Sequence, residues 1–359
     1  MKKRSLMKHF VIVCVGVFSF LTVFFIAHPQ HKAQAETKTI ELKYVTMRGP
    51  TEPNAMIWQI PMSNEIEKRT GGKVKVVPYW SNSLGKTSEH FNLVKTGIAD
   101  MTDYAGSYAP GKFVFAEVGN LPFAAKNPVN IRKAMSKMED KGYFEESWGQ
   151  VEVLGWNITP FYQLLFRKDK PITFYELSGK KIRTPGGYMT EFLKSIKAVP
   201  ISIPPTDAYQ AWERGLVEGW MHPMGAFNVY KLFEFSNRSL LTVDAMAMAN
   251  AAVVINKKKL ASLGPETQDI IRKVVSDYED VYVKAGDYND GEALKLINKT
   301  GVEIYTLPDP EMDKLRKAAM PVWDKFIADV DKNGGDGKAI VNEYIGLLKS
   351  LGEKPLYTP

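Results

Sequence analysis

Side chains that could perform covalent chemistry are few in this sequence. Of the five histidines, only His90 and His222 lie beyond residue 35. The single cysteine, Cys14, lies within residues 1–35. The chain contains no HExxH, GxSxG or CxxC motif, so the metal ligands, nucleophile or thiols of common hydrolases and redox proteins are missing. Asp103 and Glu218 leave open a hydrolase that uses two carboxylates, although neither is well placed for that role. The pattern therefore favours a protein that binds a molecule without altering it.

The first 35 residues have the three parts of an export signal. A basic segment (2–8) precedes an apolar run (10–27), and Ala33-Gln34-Ala35 is a typical cleavage site. We predict cleavage after Ala35 and a periplasmic location. An uncleaved membrane anchor is the alternative, because an apolar run of this length can just span a bilayer.

The charge balance changes once this leader is set aside. The whole chain has a formal net charge of +7, but the leader holds five Lys and Arg residues and no acid, so residues 36–359 carry +2. A nearly balanced chain gives no support for a nucleic-acid partner, which would need a basic face.

Beyond the leader, short β-rich runs alternate with longer helical segments, which is typical of α/β proteins with mostly parallel sheets. The pattern predicts strands at 40–46, 73–79, 99–104, 151–156, 162–167, 180–184, 199–203 and 217–220. It predicts helices at 54–70, 87–96, 188–196 and 207–214, the last capped by Thr206, and helical periodicity over 309–351 with a Gly-rich loop at 333–337. A long helix predicted from Pro265 to about Leu296 spans on the order of 45 Å, enough to brace two lobes.

The ends of the first strands are the expected ligand-binding positions. In open α/β sheets, ligands sit beyond the carboxyl ends of the strands. This rule selects Met47 and Arg48 after the first strand, Thr87 at the start of a helix, and Tyr104 and Ala105 at the end of the third strand.

Three segments carry a family resemblance through their order and spacing. They are EKRTGGKVKVVPYWSNSLGKTSEHFNLVKTGIADM (67–101), LSGKKIRTPGG (177–187) and PPTDAYQAWERGLVEGW (204–220). Together they resemble the solute-binding subunits of tripartite ATP-independent periplasmic (TRAP) transporters, of the C4-dicarboxylate-binding-protein-like family. The resemblance implies that this chain is not an enzyme, and that it captures a small organic acid and delivers it to the small and large permease subunits in the membrane.

The resemblance also implies a two-lobe periplasmic solute-binding fold, type II-like, with mixed, mostly parallel sheets and a long helix that braces both lobes. Lobe I is expected to take residues 36–160 and 249–288, and lobe II residues 161–248 and 289–359, after a signal peptide at 1–35.

In this family the arginine that matches Arg183 binds the ligand carboxylate. A guanidinium suits this role because it offers two parallel donors to the two carboxylate oxygens and keeps its charge. A surface arginine in a strand-to-turn segment is the alternative reading. Gln163 stands where many relatives carry a second arginine, so a monocarboxylate is favoured over a dicarboxylate or a sialic-acid-like ligand; an amide that pairs with neighbouring backbone is the alternative. His222 stands where relatives often place a polar ligand contact, beside Trp220 and Met221; a structural histidine and a core tryptophan are the alternatives. The Met, Trp and Tyr residues near these positions favour an aromatic or apolar acid.

Neither a metal nor another cofactor is expected, because Met221-His222 offers no carboxylate for a hard cation. A sensory protein that binds the same acid and reports to a receptor is also left open, since a binding protein of either kind would have the same sequence features.

Overall fold

The computed structural model describes residues 39–108, 111–167, 170–232 and 239–358. The predicted signal peptide and its cleavage site lie outside the described residues. The described residues form these strands, in chain order: β1 (Ile40–Val45), β2 (Val74–Tyr79), β3 (Met101–Ala105), β4 (Val151–Asn157), β5 (Gln163–Phe166), β6 (Lys181–Thr184), β7 (Val199–Ser202), β8 (Gly219–His222), β9 (Ser239–Leu241), β10 (Ala251–Asn256) and β11 (Glu303–Tyr305).

The same residues form these α-helices: α1 (Ile60–Arg69), α2 (His90–Thr96), α3 (Pro128–Asp140), α4 (Glu145–Trp148), α5 (Gly187–Ser195), α6 (Pro205–Glu213), α7 (Ala226–Val229), α8 (Lys257–Ala261), α9 (Pro265–Asp277), α10 (Glu279–Thr300), α11 (Asp309–Ala319), α12 (Pro321–Lys332) and α13 (Gly337–Ser350). A π-helical turn (Ala55–Gln59) leads into α1, and a 3₁₀ turn (Thr87–Glu89) leads into α2. None of the helices in these ranges is long and apolar enough to cross a membrane.

Sheet A contains five strands in the order β2-β1-β3-β10-β4. Strand β1 is parallel to β2 and β3, whereas β10 is antiparallel to β3 and β4. All six residues of β10 are buried, because this strand lies inside the sheet and is covered on both faces. The carboxyl ends of β1 and β3 therefore meet at one edge of sheet A.

Sheet B contains six strands in the order β11-β9-β5-β8-β6-β7. Strand β6 is parallel to β7 and β8, β11 is parallel to β9, and β5 is antiparallel to β8 and β9. Parallel pairings are a small majority across the two sheets, so the expectation of mixed, mostly parallel sheets is confirmed.

The predicted long helix is two helices, α9 and α10, which meet at Tyr278, where the backbone turns to φ −94° and ψ −1°. Near its start, α10 packs Tyr282 and Ala285 into the core beside sheet A, and near its end it packs Ala293 and Ile297 into the core beside sheet B. Helix α10 thus braces both halves of the fold, as expected.

The three C-terminal helices cover the side of the molecule formed by α3 and α5. The indole of Trp323 in α12 donates a hydrogen bond to the Pro122 carbonyl at 2.9 Å and stacks on Tyr357, with ring centroids 4.9 Å apart. These contacts attach the end of the chain to the core.

One local prediction was wrong: Thr206 does not cap α6. The helix begins at Pro205, and the capping position is taken by Pro204, which makes no side-chain capping bond. Proline suits the first helical position because its fixed φ is already helical and its missing N–H would be unpaired there in any case.

Candidate functional site

A cavity of about 140 Å³ lies where the ends of β1 and β3 face the end of β8, α7 and α10. The carboxyl-end rule for open sheets selected the sheet A side of this cavity. Six of the ligand-binding residues predicted from sequence line it: Met47, Arg48, Thr87, Tyr104, Ala105 and His222.

Tyrosine rings form much of the remaining wall. They belong to Tyr108, Tyr162, Tyr230 and Tyr282, none of which was named from sequence. Burial raises the pKa of Tyr108, Tyr162 and Tyr230 above the ordinary value of 10, so these groups stay neutral phenols that can both donate and accept hydrogen bonds. Tyr108 lies three residues past β3, and a wider window on that strand end would have found it.

Arg48 lies three residues past β1 and is only 8% exposed. Its guanidinium is ion-paired with the Asp103 carboxylate, and its Nη2 donates to the Tyr282 hydroxyl at 3.2 Å. The guanidinium carbon also lies 5.7 Å from the ring centres of Trp58 and Tyr282. The charge of Arg48 is therefore compensated by a carboxylate that lines the same cavity.

Arg183 lies in β6 and is completely buried. Its Nε donates to the Ile203 carbonyl at 2.8 Å and its Nη1 donates to the Met221 carbonyl at 3.2 Å. Its Nη2 makes no hydrogen bond of normal length and angle within the described parts of the chain, although the guanidinium is close enough to the Tyr108 hydroxyl to interact with it. The two carbonyl groups bear only partial charge, and no acidic side chain among the described residues pairs with Arg183, so its full charge is not balanced there.

Arg183 does not itself line the cavity, but its charge acts on groups that do. Burial raises the pKa of Tyr108, and the charge of Arg183, close to the phenol, opposes this rise. Burial and then the charge of Arg183 lower the pKa of His222 to about 3, against the opposing effect of the Pro223 carbonyl. His222 is therefore neutral at physiological pH.

Gln163, Trp220 and Met221 do not line this cavity. The Gln163 amide donates to Asp244 at 2.6 Å and accepts from the Val243 N–H at 2.8 Å, so it ties β5 to the segment that leads to β10. Trp220 is fully buried behind His222 and stacks on Tyr230, with ring centroids 5.6 Å apart. Met221 is fully buried too, and its carbonyl holds Arg183.

Several amide and acidic side chains of the cavity were also missed from sequence: Glu52, Asn54, Asn157, Asn289 and Asp290. Burial raises the pKa of Asp290 to about 6, although its carboxylate accepts a hydrogen bond from the Gly225 N–H at 2.6 Å. No cluster of three or more His, Cys, Asp or Glu side chains that could hold a metal ion occurs among the described residues.

The fold has two α/β halves, a helix that braces both, and a buried cavity at the strand ends. These features define the class of two-lobe solute-binding proteins. Residues 59–329 match the family described as bacterial extracellular solute-binding protein, family 7. The match spans most of the chain, and the chain therefore belongs to this family, the solute-binding proteins of TRAP transporters.

Curated relatives agree with this assignment. A solute-binding protein of Albidiferax ferrireducens is 25% identical over 294 residues, which cover 77% of this chain and 81% of the relative. The 2,3-diketo-L-gulonate-binding periplasmic protein of Escherichia coli is 24% identical over 296 residues, 77% of this chain and 84% of that protein.

Solved TRAP solute-binding proteins share the fold. One from Bordetella bronchiseptica with bound (R)- and (S)-mandelate has a TM-score of 0.78 at 22% identity and covers 87% of this chain and 99% of its own. One from a marine metagenome, specific for aromatic acids and bound to 3-hydroxybenzoate, has a TM-score of 0.79 at 20% identity, covering 87% and 98%. One from Sulfitobacter with bound β-D-galacturonate has a TM-score of 0.73 at 19% identity, covering 86% and 100%.

Proposed function

We propose that this protein is exported, cleaved after Ala35, and binds an aromatic or apolar monocarboxylate in the periplasm for delivery to membrane permease subunits. The two lobes proposed from sequence then close on the ligand, with Arg183 on the sheet B side and the loops after β1 and β3 on the sheet A side. Membership of the family supports the transport role, and the cavity supports the ligand class.

The observation that carries the proposal is the uncompensated charge of Arg183. A cation removed from water is costly unless a charged partner or a full set of hydrogen bonds replaces the lost hydration. Arg183 is completely buried and binds two carbonyl oxygens, while its Nη2 makes no hydrogen bond of normal length and angle in the described ranges. A ligand carboxylate would supply both the charge and the missing acceptor.

The charge balance of the cavity favours one carboxylate over two. Arg48 is the second cation at the site, but Asp103 compensates it. Glu52 and Asp290 add two more carboxyl groups to the wall. A second ligand carboxylate would therefore meet a neutralised arginine and nearby acids, which is unfavourable in a poorly hydrated site. Gln163 contributes nothing to this balance, because its amide is hydrogen-bonded to Asp244 and Val243.

The size and lining of the cavity favour an aromatic or apolar body. Its volume of about 140 Å³ is close to that of an engineered cavity of about 150 Å³ that binds benzene. Tyrosine rings present apolar faces and a few placed hydroxyls, a combination typical of small-molecule sites. The structural relatives that bind mandelate and 3-hydroxybenzoate show that the fold can hold such acids.

The test is a thermal-shift screen of aromatic, aliphatic and sugar acids, followed by calorimetry on the chain without its leader. A ligand that binds only the folded state raises the melting temperature. For the best ligand we expect Arg183→Lys to weaken binding by about 1.5–3 kcal/mol, because the charge stays but the paired donors are lost. This corresponds to about 10- to 150-fold in Kd.

The matched control is Arg214→Lys, the same exchange at an exposed arginine, which should leave Kd unchanged. Because Arg183 is buried, the variant is first shown to be folded by circular dichroism. Unchanged affinity in folded Arg183→Lys, or stabilisation by neutral or cationic compounds alone, contradicts the proposal.

A further inference from the structure

Four polar atoms of residues that line the cavity are buried and unpaired. They are Asp103 Oδ1, Tyr104 Oη, Asn157 Nδ2 and Asn289 Oδ1, and none has a hydrogen-bond partner within the ranges that the structure describes. Buried polar atoms in folded proteins are nearly always paired. Their concentration at one cavity indicates that this wall is built to meet polar groups of a ligand.

Asp103 is the most informative of these residues because of its charge state. Its side chain is 5% exposed, and its Oδ2 is ion-paired with Arg48, a contact that favours the charged form of a carboxylate. An ionised carboxylate can accept hydrogen bonds but cannot donate them. The ligand group that faces Oδ1 must therefore carry an O–H or N–H.

Asn289 presents an acceptor in the same way. Its Nδ2 donates to the Asn54 side chain at 2.6 Å, and this bond fixes the amide so that Oδ1 is the atom left free. Asp103 lies on β3 and Asn289 lies on α10, so this wall of the cavity offers acceptors from two elements.

The two arginines define the direction of a bound acid. Arg48 and Asp103 lie on the sheet A side of the cavity, whereas Arg183 lies in β6 of sheet B, and the charges of both arginines reach Tyr108 and Tyr230. A ligand whose carboxylate is held by Arg183 therefore directs its other end toward the pair of Arg48 and Asp103.

We infer that Asp103 is a specificity-determining residue that accepts a hydrogen bond from a hydroxyl or amino group at the end of the ligand opposite its carboxylate. The preferred ligand class is then a hydroxy- or amino-substituted monocarboxylate, and a second carboxylate is rejected at this position. This inference rests on the proposed function, because it needs an acid anchored at Arg183.

Calorimetry with matched probes tests the inference on the wild-type chain without its leader. The probes are benzoate, 3- and 4-hydroxybenzoate, the corresponding methoxybenzoates, and an aliphatic pair, hexanoate and 6-hydroxyhexanoate. A methoxy group occupies the same position as the hydroxyl but cannot donate. We expect at least one hydroxy acid to bind about tenfold or more tightly than both its unsubstituted and its methoxy analogue, as expected of a site that hydrogen-bonds a ligand hydroxyl.

Asp103→Asn provides the second measurement. Its control is Asp269→Asn, which removes an exposed acid, because the Asp269 side chain is 80% accessible. The first variant should lose most of the preference for hydroxy over methoxy acids, and it should gain affinity for benzene-1,3-dicarboxylate because Arg48 is no longer neutralised. The control should keep the wild-type pattern.

The outcomes separate the two proposals. If hydroxy, methoxy and unsubstituted acids bind the wild-type protein equally, the role of Asp103 is wrong and the proposed function stands. Retention of the full preference in folded Asp103→Asn also overturns it. If none of the carboxylates binds, the proposed function fails and this inference fails with it. Should the variant not fold, the wild-type comparison alone decides.

Discussion

Glu117 gives the sharpest prediction for the stability of the protein. It lies between β3 and α3 and is 5% exposed. Its carboxylate accepts hydrogen bonds from the side chains of Asn120 at 2.9 Å and Asn250 at 2.8 Å, and from the Tyr188 N–H at 3.5 Å. Asn250 immediately precedes a strand of sheet A, and Tyr188 lies on the helix that follows β6, so Glu117 links groups from both halves of the fold.

Burial raises the pKa of Glu117 from its ordinary 4.5 to about 7, although the three hydrogen bonds oppose this rise. The folded state therefore binds the proton more tightly than the unfolded state. The stabilisation is complete below about pH 4.5 and is lost as the pH rises through 7. The difference between the two pKa values corresponds to about 3 kcal/mol in all, most of which is lost between pH 5 and pH 8.

The assay is urea unfolding at several pH values from 5 to 8 for the wild type and Glu117→Gln. The glutamine does not titrate. Its amide N–H group can face the Asn120 N–H donor, where no hydrogen bond forms, so the variant is expected to be less stable than the wild type at pH 5. The free energy of unfolding should fall with pH by about 2 kcal/mol less in the variant than in the wild type. Burial also raises the pKa of Glu139 to about 7 and that of Asp290 to about 6, and their contributions cancel in this difference.

Glu266→Gln removes an exposed carboxylate whose side chain is 81% accessible and should reproduce the wild-type pH dependence. Parallel curves for the wild type and Glu117→Gln would refute the reasoning, because they would show that Glu117 ionises at the same pH in the folded and unfolded states.

Two further predictions concern a glycine and a histidine. In urea unfolding, Gly186→Ala should lower the free energy of unfolding by about 2 kcal/mol or more. The reason is that φ at Gly186 is +120° and the new Cβ would lie 2.4 Å from the Ser107 carbonyl oxygen. The control, Gly346→Ala, has open space around the new Cβ and should be neutral or stabilising by up to about 1 kcal/mol. For His222, whose pKa is lowered to about 3 mainly by burial, the imidazole NMR signals should not move between pH 5 and 8, and a midpoint near 6 would show that the ring is not buried beside Arg183.

Much of the fold was predictable because strands and helices leave local patterns. The runs at 40–46 and 73–79 became β1 and β2, and the Gly-rich loop at 333–337 separates α12 from α13. The break at Tyr278 was not predictable, because neither glycine nor proline marks it. The start of α6 was predicted too late in the chain. Thr206 had been taken as the helix cap, but Pro205 is already the first helical residue.

The candidate site was predictable in part, for a similar reason. Met47, Arg48, Tyr104 and Ala105 follow from the rule that parallel strands end at one edge of a sheet, and the structure places all four at the cavity. Gln163 and Trp220 were selected through the family resemblance, and the structure buries both away from the cavity. Tyr282 on α10 and Tyr230 at the end of α7 carried no local signal, since their roles depend on where those helices pack.

The sequence by itself predicted the export signal, and it determined the alternation of strands and helices and the lack of cysteine or metal-binding motifs beyond the leader. These properties depend on composition and on neighbours a few residues apart. Tertiary structure decided that Arg48 is neutralised by Asp103 while Arg183 is not, and that Asp103 keeps an unpaired oxygen. Those outcomes depend on contacts between residues tens to hundreds of positions apart, where burial removes water and makes each missing partner costly.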